Sequence, residues 1–198
     1  METLKIYRSI LNDKKMVNRL LQTNSIVRPP VKIPFVVDNL WEWKRPERFP
    51  SRRYSAFASP QAHLAKKQGP ADGKVFQVEL IGRYKICQLK GFRNAIQHPE
   101  CIGLPILLFE KLGNDWLSSG VEAKLAIGRL WLPTLTKNEV EQFFNQVPFF
   151  IENREQIYNS IRFWDDAKLI DDHNPIIDDE SELFFEAIDG YYLRPIDE

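Results

Sequence analysis

A chain of 198 residues has room for one domain, with or without an elaborated insert. With 43% of its residues hydrophobic and 12% aromatic it can bury a real core, which excludes global disorder. Lys plus Arg and Asp plus Glu both number 27, so the net charge is zero. No known reading-helix motif accompanies that balance, and nucleic acid is not an expected partner.

The first element is LKIYRSI, whose alternation predicts a strand carrying Arg8. NDKKMVNRLLQ places Met16, Val17, Leu20 and Leu21 at helical spacing, with Asn12 or Asp13 as cap, and predicts a helix. IVRPPVKIPF holds three prolines and is expected to be extended or looped. DNLWEWKRPERFPSRR is expected to be non-helical too, so that Trp41 and Trp43 would share one face. YSAFAS predicts a strand, and SPQAHLAKK a helix with Ser59 as N-cap and Pro60 in its first turn. KVFQVELIGRYKICQL reads as two strands broken at Gly82.

Further on, Thr136 and Glu139 form the spacing of a capping box, and a second helix is expected from Pro148. DDAKLIDDHNPIIDDE reads as an acidic loop, and ELFFEAI with YYLRPI as a closing hairpin about Asp189-Gly190. The expected class is therefore α+β, one domain over residues 1–198 with a helical insert at about 91–165. From Asp165 onward there are twelve acids against two bases, Lys168 and Arg194, which leaves 25 bases and 15 acids before it. The basic part could meet a phosphate-bearing ligand, and Asp178 and Asp179 read as solvated loop acids.

Cys87 and Cys101 make no disulfide framework, and no His/Cys cluster suggests a metal. His63, His98 and His173 stand far apart, and there is no Gly-rich phosphate loop. The first residues lack the apolar core of a signal peptide, and no run approaches a membrane span. The expectation is a soluble, cytoplasmic protein, with delivery into another cell by an injection system left open.

Three separated pieces remain: IYRS at the start, YSAFAS around residue 57, and ESELFF near the end. In that order they resemble the Arg, Ser-x-Ser and Glu-x-Glu signature of ADP-ribosyltransferases. The resemblance covers about residues 4–90 and 176–195. It implies a split β-sandwich around a cleft for NAD, with Arg8 on a phosphate or ribose. It further implies Ser55 or Ser59 in the nicotinamide pocket and Glu182 stabilising the ribosyl cation. Glu180 would position or activate an acceptor. Residues 180 and 182 would lie on one face of a strand. The basic-aromatic segment reads either as a solvated loop or as a pyrophosphate grip through Arg52 or Arg53, and Trp41 and Trp43 either stack on a nicotinamide or adenine ring or pack in the core.

The serine piece is SAFAS rather than Ser-Thr-Ser, which leaves the pocket serine open between Ser55 and Ser59. RRYSAFASPQAHLA is also similar to RES-type NAD-degrading toxins, but HLAKKQ lacks the helical glutamate found there. The resemblance implies transfer of ADP-ribose from NAD to a macromolecule, most readily a protein side chain, by a bacterial toxin or effector with a possible antitoxin or immunity partner. The alternatives are an NAD glycohydrolase and a non-catalytic binding or immunity-type protein with an acidic C-terminal surface.

Overall fold

The computed structural model describes residues 4–11, 16–23, 27–171, 176 and 178–196. Among these are seven strands: β1 (Ile6–Leu11), β2 (Ala56–Ala58), β3 (Gly73–Leu80), β4 (Tyr84–Leu89), β5 (Ala167–Leu169), β6 (Leu183–Ala187) and β7 (Tyr191–Pro195). The helices are α1 (Phe35–Lys44), α2 (Ala62–Gln68), α3 (Glu100–Ser118), α4 (Val121–Gly128), α5 (Lys137–Gln146) and α6 (Pro148–Ser160). The fold is mixed α+β, divided into two compact units. One comprises Met1–Arg28, Glu47–Ala95 and Asp166–Glu198, the other Pro29–Pro46 and Ile96–Asp165.

The first unit holds two antiparallel sheets, ordered β1-β3-β7 and β2-β6-β4-β5. Alternation along the strands sends Ile6, Ile10, Ala56, Ala58, Val78, Ile86, Leu183, Phe185 and Leu193 into one apolar core. The expected hairpin of the last two strands does not form. β6 pairs with β2 and β4, whereas β7 pairs with β3, so the chain changes sheet at Asp189-Gly190. The strands on either side of Gly82 part in the same way, β3 to one sheet and β4 to the other.

These two crossings lie side by side. The Ile81 N–H donates to the Gly190 carbonyl at 3.0 Å, and the Ile188 N–H to the Arg83 carbonyl at 2.9 Å. Gly190 takes φ 114°, and a Cβ there would stand 2.8 Å from the Leu21 carbonyl oxygen. Glycine is required by both its dihedral and its neighbours. Turn chemistry marked the bend correctly, but it carries no information about which strands pair across it.

No helix forms over the described part of NDKKMVNRLLQ. Met16–Asn18 are a turn, Asn18 has φ 56°, and Leu21 exchanges two 2.9 Å backbone hydrogen bonds with Tyr191. Pairing with β7 takes the donors that a helix would have used. The proposed caps Asn12 and Asp13 lie outside the described residues. The acidic stretch after residue 165 is not all loop either, since Ala167–Leu169 pair with β4.

The second unit is helical. It extends the expected insert by a separate stretch, Pro29–Pro46, which contains α1. That helix corrects the non-helical reading of DNLWEWK. Pro34 precedes it and Pro46 follows it, so the prolines frame a ten-residue helix rather than break it. Helical geometry turns residues 41 and 43 to different faces. Trp41 stacks on Phe163 at 4.0 Å and donates from Nε1 to Glu100 at 2.6 Å, while Trp43 stacks on Phe144 at 4.1 Å.

Buried Asn39 bonds the Leu130 and Leu132 carbonyls and accepts from the Leu135 N–H, tying α1 to the loop before α5. The capping box opens α5 as the spacing predicts: the Glu139 N–H donates to Thr136 Oγ1, and the Thr136 N–H to Glu139 Oε2. Pro148 opens α6, also as expected. Among the described residues no helix is long and apolar enough to cross a membrane.

Candidate functional site

The three distant sequence pieces meet in the first unit. Tyr7 and Ser59 exchange two 2.8 Å backbone hydrogen bonds, joining β1 to the end of β2. β2 in turn pairs with β6, Ala58 opposite Leu183, which places Glu182 one step past the last pair. Arg8, Ser59 and Glu182 thus each stand within one residue of a backbone contact between neighbouring strands.

Arg8 occupies the face of β1 that also carries Ile6 and Ile10, so it is aimed inward rather than displayed at a sheet edge. Its Nη1 donates to the Tyr191 hydroxyl at 3.1 Å, and no carboxylate partner meets it among the described residues. Burial lowers its pKa; Tyr191 opposes that and nearby Arg28 adds to it. A guanidinium stays charged regardless. The Arg28 N–H bonds the Arg53 carbonyl at 2.9 Å, so Arg8, Arg28 and the Arg52–Tyr54 turn form one basic neighbourhood.

That turn is a single 3-10 turn, buried at Arg52 and Arg53. Fully buried Ser55 donates from Oγ to the Ser51 carbonyl at 2.7 Å, closing the turn. Ser55 therefore supports backbone rather than facing a pocket. The closed turn aims Arg52 at Glu182, with Nη1 to Oε1 at 2.7 Å. The Arg52 guanidinium lies 4.9 Å from the ring centres of both Phe57 and Phe184, a directly paired cross-strand couple. Glu182 Oε2 accepts the Ala95 N–H at 3.0 Å. The side chains of the pair are 9% and 7% exposed, so this is a buried, hydrogen-bonded ion pair.

Glu180 and Glu182 do not share a strand face. β6 begins at Leu183, and Glu180 sits in the preceding bend, exposed and paired with Arg93. The bend is built by Asp178, which has more to do than keep a loop wet. Its carboxylate accepts the Glu180 and Ser181 N–H groups and the Ser181 hydroxyl. Burial pushes the Asp178 carboxyl up, but these hydrogen bonds outweigh it and hold the group below its ordinary value. Gln88 Nε2 grips the Asp178 carbonyl at 2.6 Å and fixes the bend to β4.

Ser59 is not a helix cap, for the N-cap of α2 is Gln61. Its Oγ bonds Gln68 Oε1 at 3.0 Å, and Gln68 Nε2 bonds the Arg93 carbonyl at 3.0 Å. Ser59 is thereby linked through one side chain to the loop that supplies Arg93 and the Ala95 N–H. Trp43 lies in the other unit, where its Nε1 donates to Glu141 at 2.6 Å and one ring face meets Phe144. It is buried within its own unit, where it packs on Phe144 and also borders a recess.

Sequence reasoning missed Tyr191, Gln68, Asp178 and Ala95 around this site. Only Asp178 carried a local signal, since an Asp three residues before a Ser matches a side-chain-capped turn. Among the described residues the helical unit contains a recess of about 670 Å³ lined by Trp43, Glu141, Arg154 and Tyr158 among others, and a smaller one beside Trp116. None of the first unit's site residues lines either one. Compared with protein-family profiles, with curated proteins and with solved structures, the chain matches none.

Proposed function

We propose that the protein cleaves NAD and transfers its ADP-ribose to a macromolecular acceptor, with Glu182 as the catalytic carboxylate. The observation that carries this reading is the meeting of IYRS, SAFAS and ESELFF through the Tyr7–Ser59 bridge and the Ala58–Leu183 pair. The neighbouring positive charges of Arg8 and Arg28 suit a substrate bearing a pyrophosphate.

Breaking the nicotinamide–ribose bond sends its electron pair to neutral nicotinamide and leaves positive charge on the sugar. Glu182 holds negative charge beside a sugar hydroxyl and lowers the energy of that cation, as a carboxylate does in glycoside hydrolysis. The acceptor then adds to the anomeric carbon and gives up its proton. Arg8, inward and without a carboxylate partner among the described residues, holds a phosphate oxygen. Ser59 keeps the β1–β2 junction closed through its backbone bonds to Tyr7.

A second reading, hydrolysis with water as acceptor, gains from one observation. Glu180 is turned to solvent on Arg93 and does not stand with Glu182 to orient an acceptor. Incubation with NAD labelled on the adenylate separates the outcomes. Label on protein supports transfer, free ADP-ribose with nicotinamide supports hydrolysis, and unchanged NAD ends both readings. Loss of nicotinamide release in Glu182→Gln, with the folded state verified by circular dichroism, is the expected result for either.

A further inference from the structure

We infer that Arg52 is a positioning residue: its guanidinium holds the Glu182 carboxylate in its working orientation rather than gripping a phosphate. The inference rests on the NAD-cleaving reading above, and it reassigns the side chain that the basic-aromatic segment had offered as a pyrophosphate ligand.

Three features fix the pair. Arg52 Nη1 reaches Glu182 Oε1 at 2.7 Å with both side chains less than one-tenth exposed. A phosphate would have to displace a buried carboxylate to reach that nitrogen. The guanidinium is also braced on Phe57 and Phe184, which restricts its motion and adds cation–π attraction in a desolvated place. Finally, both ends of the pair are anchored to one strand. The Ser51 N–H donates to Glu186 Oε1 on β6 at 2.8 Å, while Glu182 immediately precedes β6.

The geometry leaves capacity for chemistry. A carboxylate has about four lone-pair positions, and Arg52 with the Ala95 N–H uses two of them. No other hydrogen bond reaches the carboxylate among the described residues, and the remaining two positions would take a sugar hydroxyl whose hydrogen bond strengthens as positive charge develops. Arg52 and the Ala95 N–H set the plane in which those positions lie. A preset orientation of this kind removes the reorganisation that a mobile glutamate would need.

The test is Arg52→Ala in the full chain, assayed for nicotinamide release with and without millimolar ethylguanidinium, which fits the slot the truncation opens. The expected result is a kcat lowered about a hundredfold with KM held within about threefold. Added ethylguanidinium restores at least about tenfold of that loss and raises the melting temperature of the variant but not of wild type. If Arg52→Ala fails to fold, Arg52→Lys is the measure, with kcat down about tenfold at unchanged KM.

A KM that rises at constant kcat makes Arg52 a substrate ligand and overturns the inference. So does full activity in either variant, or an Arg52→Ala protein blind to ethylguanidinium in both rate and melting. Wild type that releases no nicotinamide removes the functional reading itself. An active wild type with an indifferent Arg52 removes only this inference.

Discussion

Two arginine–glutamate pairs stand two residues apart at the entrance to β6, and they live in different media. Arg52–Glu182 is buried, braced by Phe57 and Phe184 and completed by the Ala95 N–H. Arg93–Glu180 lies on the surface, with side chains 50% and 62% exposed. The chemical groups are identical, but the surroundings decide what each pair does. Water screens the outer pair and lets it exchange partners. The inner pair has no such alternative, so each member obliges the other.

The sharpest way to break this contrast is to remove one inner partner. Arg52→Ala or Glu182→Gln should cost about 3–5 kcal/mol in urea unfolding, because a buried charge is left uncompensated. Replacing both by apolar residues, as in Arg52→Met with Glu182→Leu, should return most of that stability while leaving nicotinamide release abolished. A double variant as unstable as the single ones would show that the pair is not the source of the loss.

Next in size is the bend that separates β6 from β7. Gly190→Ala should cost about 1–3 kcal/mol, from a left-handed dihedral combined with the close Leu21 carbonyl. A midpoint unchanged in urea would mean the crossing relaxes more easily than its geometry implies.

Asp178, which shapes the loop carrying both glutamates, comes third. Asp178→Ala should cost about 1–2 kcal/mol through lost hydrogen bonds. Its carboxyl titrates lower in the folded state than in the unfolded chain. Its contribution is therefore full above the unfolded value, about pH 4, and is lost as pH falls through the folded one. The stability gap between wild type and Asp178→Asn should narrow below about pH 4 in acid melts. A constant gap would assign the group no role in acid sensitivity.

Smallest is the outer pair itself. Glu180→Ala or Arg93→Ala should change stability by less than about 1 kcal/mol, with the difference shrinking further in salt. A larger, salt-insensitive loss would erase the distinction between the two pairs.

How much of this was readable before folding depends on the range of the interaction. β1 was legible because alternation is a local property, and α5 because Thr136 and Glu139 are three residues apart. α1 was hidden by its own prolines: Pro34 and Pro46 look like breakers, yet each stands outside the helix it frames. The closing strands were found, but not their partners, because Asp189-Gly190 reports a bend and says nothing of sheet order. Among candidate site residues, Glu182 stood out through its motif. Its tie to Arg52 spans 130 positions and has no local signature. A still longer separation, 183 positions, hides the Tyr191 hydroxyl behind Arg8.

The division of the helical unit into Pro29–Pro46 and Ile96–Asp165 has a consequence for synthesis. A ten-residue helix such as α1 does not persist by itself in water. Emerging from the ribosome, it presents Trp41 and Trp43 with nothing to cover them until α5 and Phe163 have followed. The four-stranded sheet waits longer still, since β6 is the strand that pairs β2 with β4. Neither unit can be completed piecemeal from its N-terminal end. Nascent chains should therefore remain sticky and protease-sensitive until late in translation, and refolding should be slow for the chain's size.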